Sequence, residues 1–129
     1  MVSIALYPIF GKPFVLYLGV LTLTSYLVTA ALGISYYRGW LQFKWHPAMV
    51  VVSFVFAVLM TIIGLTLHNP LIGILGLLTL FSFLIAAMIG VGIHQRRLNI
   101  RFIWHPTVVV IAVIFAVLHG VAGIMMFIQ

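Results

Sequence analysis

Four long apolar stretches, at residues 13–37, 46–67, 70–93 and 105–128, constrain the fold of this chain more than any other feature. Each supplies the roughly 20 residues that a helix needs to cross a hydrocarbon core about 30 Å thick. Lipid offers no hydrogen-bond partners, so the spanning backbone must satisfy its own polar groups, as a helix does. Charged residues make up only 5% of the chain, too few for a water-soluble domain. The sequence predicts an all-α, four-helix transmembrane bundle forming one domain over residues 1–129.

The Lys and Arg side chains predict how these helices are oriented, because basic residues are enriched in short cytoplasmic loops. The loop residues are Arg38, Lys44, Arg96, Arg97 and Arg101, and Lys12 alone precedes the first stretch. We therefore expect an integral protein of the cytoplasmic membrane with both basic loops in the cytoplasm and both termini outside. These flanking positions also account for most of the net charge of +6, so lipid headgroups rather than nucleic acid are the expected partners.

The residue types that the chain lacks exclude several kinds of membrane protein. The sequence contains no Asp or Glu, which rules out a carboxylate proton relay and an oxygen-ligand site for Ca²⁺ or Mg²⁺ built from acidic side chains. Small multidrug exporters that depend on a membrane-embedded Glu are disfavoured for the same reason. The sequence contains no Cys, which disfavours four-helix enzymes that handle disulfides.

The chain reads as a duplicated pair of helices. Aligning positions 45–64 with 104–123 gives ten identities in twenty positions. The preceding helices also match, since Pro, Gly, Leu-Thr-Leu and Ser recur at a constant offset of 57 residues. We therefore predict two tandem repeats, at about 13–68 and 70–129. Each repeat spans the membrane twice, so the pseudo-twofold axis that relates the copies runs along the membrane normal.

Each repeat carries the tripeptide Trp-His-Pro, at positions 45–47 and 104–106. Proline is tolerated in the first turn of a helix and Trp suits the membrane interface, so each motif predicts a helix start at the cytoplasmic side. The repeat places His46 and His105 at one depth. Two neutral imidazoles from different helices can hold haem iron, and we predict that these two residues are axial ligands of a haem b. The alternative is that each His caps its helix and anchors it at the interface.

Other residues near this pair fit the haem hypothesis but have simpler explanations. Small residues follow each histidine at helical spacing, which leaves room for a flat macrocycle or merely permits close helix packing. The cationic side chains of Arg38, Lys44, Arg97 and Arg101 are near enough in sequence to pair with haem propionates. The alternative for these four residues is topology signalling alone.

The remaining histidines offer weaker candidates. His119 lies fourteen residues after His105, which is about 21 Å deeper at a rise of 1.5 Å per residue. Its equivalent in the first repeat is Met60, so these two residues are a possible second haem site; the alternative is a neutral His119 bonded to a helix carbonyl. His94 ends the third stretch and could contact haem, a quinone or a soluble donor. His68 lies in the external turn, where it could simply be a polar turn residue.

Two segments resemble cytochrome b561-type electron carriers. The run His-Pro-Ala-Met-Val at 46–50 is similar to the start of that family's second core helix, and residues 90–97 followed by His105 resemble its passage from one core helix to the next. The resemblance implies a four-helix core in which paired histidines hold b-type haem, with His46 and His105 as the ligands of one haem near the basic side. The family has six spans and a second His pair, whereas this chain has four apolar stretches and no His early in the third.

These observations favour a small b-type cytochrome that passes single electrons within the membrane, from a quinol or similar donor to a partner subunit. A second hypothesis is a cofactor-free accessory subunit of a larger respiratory or monooxygenase complex, because the loops are short. A metal or small-solute transporter that uses the histidines is a third, although their different depths do not make one coordination sphere.

Overall fold

The computed structural model describes residues 6–67 and 69–128 and confirms the all-α, four-helix architecture. The helices are α1 (Phe14–Tyr37), α2 (Trp45–Leu65), α3 (Pro70–His94) and α4 (Trp104–Ile128). All four are long and apolar enough to cross a membrane. The chain is therefore an integral membrane protein whose helices contact lipid. His68 lies outside the described residues, so its predicted place in a turn stays a prediction.

The two Trp-His-Pro motifs form first helical turns rather than caps. α2 begins at Trp45, and its N-cap residue is Lys44, with no side-chain cap hydrogen bond within the described part of the chain. His46 is thus the second residue of its helix, and the interpretation of this histidine as a cap is wrong. By contrast, α3 has a side-chain cap, because Asn69 Oδ1 accepts a hydrogen bond from the backbone N–H of Ile72 at 3.2 Å.

A small hairpin precedes α1 and was not predicted. Strand β1 (Pro8–Ile9) pairs antiparallel with β2 (Lys12–Pro13). The turn between the strands holds Phe10 and Gly11 at φ angles of 48° and 76°. Glycine adopts this left-handed region without steric cost, which lets the chain reverse within two residues before α1 begins.

The helices pack mainly as two hairpins, α1 with α2 and α3 with α4, and the two hairpins contact each other less closely. A central layer of four residues joins them: Tyr26, Phe83, Ala57 and Ala116. The rings of Tyr26 and Phe83 lie 4.7 Å apart between their centroids. The two aromatic positions are 57 residues apart and the two alanines 59 apart, which are the offsets of the predicted repeat. This central layer divides the interior of the bundle into two halves.

A buried polar contact joins α1 to α2 next to this layer. The hydroxyls of Thr29 and Ser53 lie 2.8 Å apart, and Ser53 is fully buried. Thr29 also donates to the carbonyl of Ser25 at 2.8 Å. The equivalent positions of the second repeat are Ala86 and Ala112, so the same helix contact is made there without hydroxyls. The polar pair is therefore a feature of the first repeat alone.

The Thr29→Ala variant is expected to lower the free energy of unfolding by about 1–3 kcal/mol, because it leaves the buried Ser53 hydroxyl without its partner. Adding Ser53→Ala is expected to restore part of that loss, since the double variant recreates the Ala–Ala contact of the second repeat. The measurement is equilibrium unfolding in mixed micelles, with Thr107→Ala as control, because the exposed Thr107 hydroxyl donates to the carbonyl of Ile103, the residue just before α4, rather than to another helix. A Thr29→Ala variant no less stable than Thr107→Ala would contradict the prediction.

Candidate functional site

The fold brings His46 and His105 together in the half of the bundle that carries the basic loops. Their ring centroids are 6.3 Å apart and the ring planes are inclined at 84°. Both residues are partly buried, each in the first turn of its helix. Two imidazoles from opposite hairpins therefore face one space near the end of the bundle.

Each imidazole is held by a backbone carbonyl of the neighbouring helix. Nδ1 of His46 lies 3.0 Å from the carbonyl oxygen of Thr29, and Nδ1 of His105 lies 2.9 Å from that of Ala86. A carbonyl can only accept a hydrogen bond, so in each ring Nδ1 carries the proton and donates it. Nε2 of each neutral ring then keeps its lone pair, which is the electronic state that binds a metal.

A glycine lies beneath each of these rings. A Cβ atom at Gly33 would be 3.0 Å from Cε1 of His46, and one at Gly90 would be 2.8 Å from Cε1 of His105. Each glycine lies four positions after the residue whose carbonyl accepts the hydrogen bond. The carbonyl and the glycine are therefore one helical turn apart, and each ring packs directly against the backbone of that turn. Sequence reasoning missed both glycines, although they are 57 residues apart, the offset at which other residues of these helices recur.

The histidine pair borders a mostly apolar cavity with about 430 Å³ of empty space, counting its open side. The cavity reaches down to the central layer, where Tyr26 and Phe83 line it. Val50, Val109 and Ala112, from the small-residue faces of α2 and α4, form further walls. These apolar walls leave space beside the rings.

The four cations predicted to pair with propionates lie at the same end of the bundle but not against the rings. The guanidinium of Arg38 lies 5.0 Å from the centre of the Trp40 ring, and Nζ of Lys44 lies 5.3 Å from that of Trp45. Arg97 and Arg101 are exposed in the loop between α3 and α4. The structure thus gathers the positive charge at the end of the bundle that holds the histidine pair, and the pairing with propionates stays a prediction.

His94 joins an aromatic cluster at this end rather than the histidine pair. Its exposed ring stacks on Phe43 with centroids 4.0 Å apart. The residue equivalent to Phe43 in the second repeat is Phe102, whose ring lies 6.3 Å from that of His105. These rings pack at the helix ends, beside the loops that carry the basic residues.

His119 and Met60 line a second cavity on the other side of the central layer. Nδ1 of His119 lies 3.1 Å from the carbonyl oxygen of Ile72, and a Cβ at Gly76 would be 3.1 Å from Cε1 of this ring. A Cβ at Gly19 would lie 3.6 Å from the Cε atom of Met60. The ring is therefore held as the other two are, by a carbonyl and a glycine one turn apart. The expected hydrogen bond to a helix carbonyl is confirmed, and the carbonyl belongs to α3.

Tyr26 lies between the two cavities and lines both of them. Its side chain is 5% exposed, and its hydroxyl is buried with no hydrogen-bond partner among the described residues. Leaving a buried hydroxyl unpaired costs about 1–3 kcal/mol, so this atom is a candidate contact for a bound molecule.

The histidine pair cannot complete a metal site by itself. Within residues 6–67 and 69–128, no three His, Cys, Asp or Glu side chains come together as metal ligands. An ion between His46 and His105 would take its other ligands from a cofactor, as haem iron takes four from its macrocycle. No family model, characterised protein or solved structure matches the chain.

Proposed function

We propose that this chain is a membrane b-type cytochrome in which His46 and His105 are the axial ligands of one haem b. The separation of their rings supports the proposal most directly. Imidazole nitrogens bind metals at about 2 Å, so two rings on opposite sides of one ion have centres on the order of 6 Å apart. The two centroids here are 6.3 Å apart.

The hydrogen bonds of the two rings add independent support. Histidine ligands usually donate their second N–H to a carbonyl or carboxylate, which fixes the tautomer and raises the basicity of the binding nitrogen. The carbonyls of Thr29 and Ala86 accept these bonds here. Gly33 and Gly90 leave room for the rings to lie in that orientation. The chain's own contribution is thus to hold two Nε2 atoms ready, on two hairpins packed together, in an apolar cavity.

Haem supplies reversible one-electron chemistry, and the surrounding residues determine where electrons can enter and leave. Arg38, Lys44, Arg97 and Arg101 would neutralise propionates at the mouth of the cavity. The exposed His94–Phe43 stack lies at the same end and offers a contact surface for a partner subunit. We propose transfer of single electrons between a quinol or similar donor and such a partner, through a carrier that makes and breaks no bonds itself.

Orientation and ancestry belong to the same proposal. The five basic loop residues favour a cytoplasmic histidine pair, with both termini outside. The motifs at 46–50 and 90–97 favour a distant relationship to cytochrome b561-type carriers, with one of that family's haem sites kept in a chain of four helices.

An absorption spectrum of the purified full chain tests this function. We expect a Soret band and a pyridine haemochrome signal of haem b, with the band lost in His46→Ala and in His105→Ala because each removes an axial ligand. His94→Ala is the matched control, since it removes an exposed histidine at the same end and should leave the spectrum unchanged. Correctly folded protein that is colourless when expressed with ample haem would contradict the proposal.

The second candidate, a cofactor-free accessory subunit, is favoured by one observation. The two histidine rings already have carbonyl partners and lie at a contact distance, so they also form a satisfied helix-packing unit without a metal. On this hypothesis, His46→Ala changes stability but no spectrum. The same preparation therefore separates the two candidates.

A further inference from the structure

The second cavity, between the central layer and the external end, is the larger one. It has about 990 Å³ of empty space, counting its open side. Its walls are almost entirely apolar, and each of its threonine hydroxyls already donates to a carbonyl of its own helix. Thr22 donates to the carbonyl of Leu18 at 2.7 Å and Thr79 to that of Leu75 at 2.8 Å. A ligand here would meet hydrocarbon on most sides.

His119 provides a hydrogen-bond acceptor in this apolar space. Its Nδ1 donates to the carbonyl of Ile72, so Nε2 carries the lone pair. Gly76 lies against the ring and leaves no room for a side chain beneath it. Small-molecule sites of this kind combine apolar walls with a few fixed polar groups that orient the ligand. The matching ligand is an apolar molecule that carries a hydrogen-bond donor.

The cavity borders the lipid-facing side of the bundle where α1 lies beside α4. Val20 of α1 and Val121 of α4 line it, yet their side chains are 55% and 50% exposed. In a membrane-spanning bundle, these exposed faces contact the hydrocarbon of the bilayer. A lipid-soluble molecule could therefore enter from the membrane without crossing water.

Charge argues against a second haem in this cavity. Lys12 is the only one of the six Lys and Arg residues at this end of the bundle. Haem would bring two carboxylates, and a carboxylate without a cationic partner in an apolar site is costly. An uncharged ligand avoids the cost of burying a carboxylate without a cationic partner.

We propose that this cavity binds a lipid-soluble quinol, one of whose hydroxyl groups donates a hydrogen bond to Nε2 of His119. Its role as electron donor rests on the haem function proposed above, but binding does not. Only the central layer would separate the ring from the histidine pair, because Tyr26 lines both cavities. The reduced form binds more tightly than the quinone, since a quinone carbonyl has no proton to donate to Nε2.

Binding of decylubiquinol by the full chain in lipid nanodiscs, measured anaerobically by equilibrium dialysis, tests the site. We expect His119→Phe to weaken binding about tenfold or more, which is the loss of one buried hydrogen bond. Met60→Leu is the matched control, because Met60 lines the same cavity but its substitution removes no hydrogen bond. Gly123→Leu is a second test: a Cβ there would meet no described atom within 4 Å, so leucine fills the cavity without disturbing the helices.

Three outcomes would overturn the quinol site. The first is binding that His119→Phe and Gly123→Leu leave unchanged, which indicates general partitioning into lipid. The second is a Met60→Leu variant that loses a second haem, which indicates a His–Met haem site. The third is a haem-containing protein that binds no decylubiquinol. A colourless protein that binds decylubiquinol through His119 overturns the haem function instead and supports the quinol site.

Discussion

If His46 and His105 hold haem as proposed, replacement of Gly90 by valine is expected to remove it almost completely from the purified protein. The Cβ of any larger residue would lie 2.8 Å from Cε1 of His105. The imidazole, which belongs to α4, must therefore move away from the α3 backbone against which it packs. Moving the ring breaks the Nδ1 hydrogen bond to the carbonyl of Ala86, which fixes the ring beside His46. Overpacking of this kind costs about 1–3 kcal/mol, and we expect a matching loss of stability in the haem-free protein.

Haem per chain, from the pyridine haemochrome assay, and the unfolding free energy of haem-free protein measure the two effects separately. Gly73→Val is the matched control. It makes the same substitution in the same helix, but the Cβ at Gly73 would only meet Leu65 at an ordinary 3.9 Å. Gly33→Val is expected to change haem content in the same direction but by less, because its Cβ would lie 3.0 Å from Cε1 of His46, a slightly longer approach. A Gly90→Val protein with full haem content would refute the role of this glycine.

Single engineered cysteines at the two ends of the bundle are expected to differ completely in labelling by a membrane-impermeant reagent. The chain contains no native Cys, so an engineered one gives labelling without background. Phe10→Cys places a thiol in the N-terminal hairpin, where Phe10 is 95% exposed. Asn99→Cys places one in the exposed loop between α3 and α4. In intact cells, a membrane-impermeant maleimide should label the first and not the second, because basic loops stay in the cytoplasm.

Permeabilised cells provide the control, since both thiols should then react. Gln42→Cys, in the other basic loop, should behave as Asn99→Cys does. The reverse pattern would place the histidine pair and the basic loops outside the cytoplasm. The proposed electron carrier would then require an electron acceptor on that side of the membrane.

The helices were predictable almost to the residue because membrane thickness sets their length. The predicted stretch 13–37 became Phe14–Tyr37, and 70–93 became Pro70–His94. The start of α3 agrees with the local residue types, since Asn69 caps the helix and Pro70 is its first residue. The small hairpin before α1 was not predicted, because its four paired residues carry too short a pattern to indicate strands.

The histidine pair could be predicted from the repeat, but the contacts that hold it could not. Matching positions in two copies implied one depth for His46 and His105, and their rings lie 6.3 Å apart. The carbonyl of Thr29 and the glycine at 33 depend on how far α1 is rotated about its own axis. That rotation leaves little trace in the sequence, because most faces of a membrane helix are apolar.

The sequence by itself determined that four helices span a membrane, since each apolar stretch is long enough to cross it as a helix, in which the backbone satisfies its own polar groups. It also determined that two Trp-His-Pro motifs begin two of these helices. Only the tertiary structure decided which carbonyl holds each ring, that Gly33, Gly90 and Gly76 lie beneath the rings, and that a second cavity lies beside His119. Lipid and protein interior are equally apolar, so close packing rather than hydropathy chooses which faces meet.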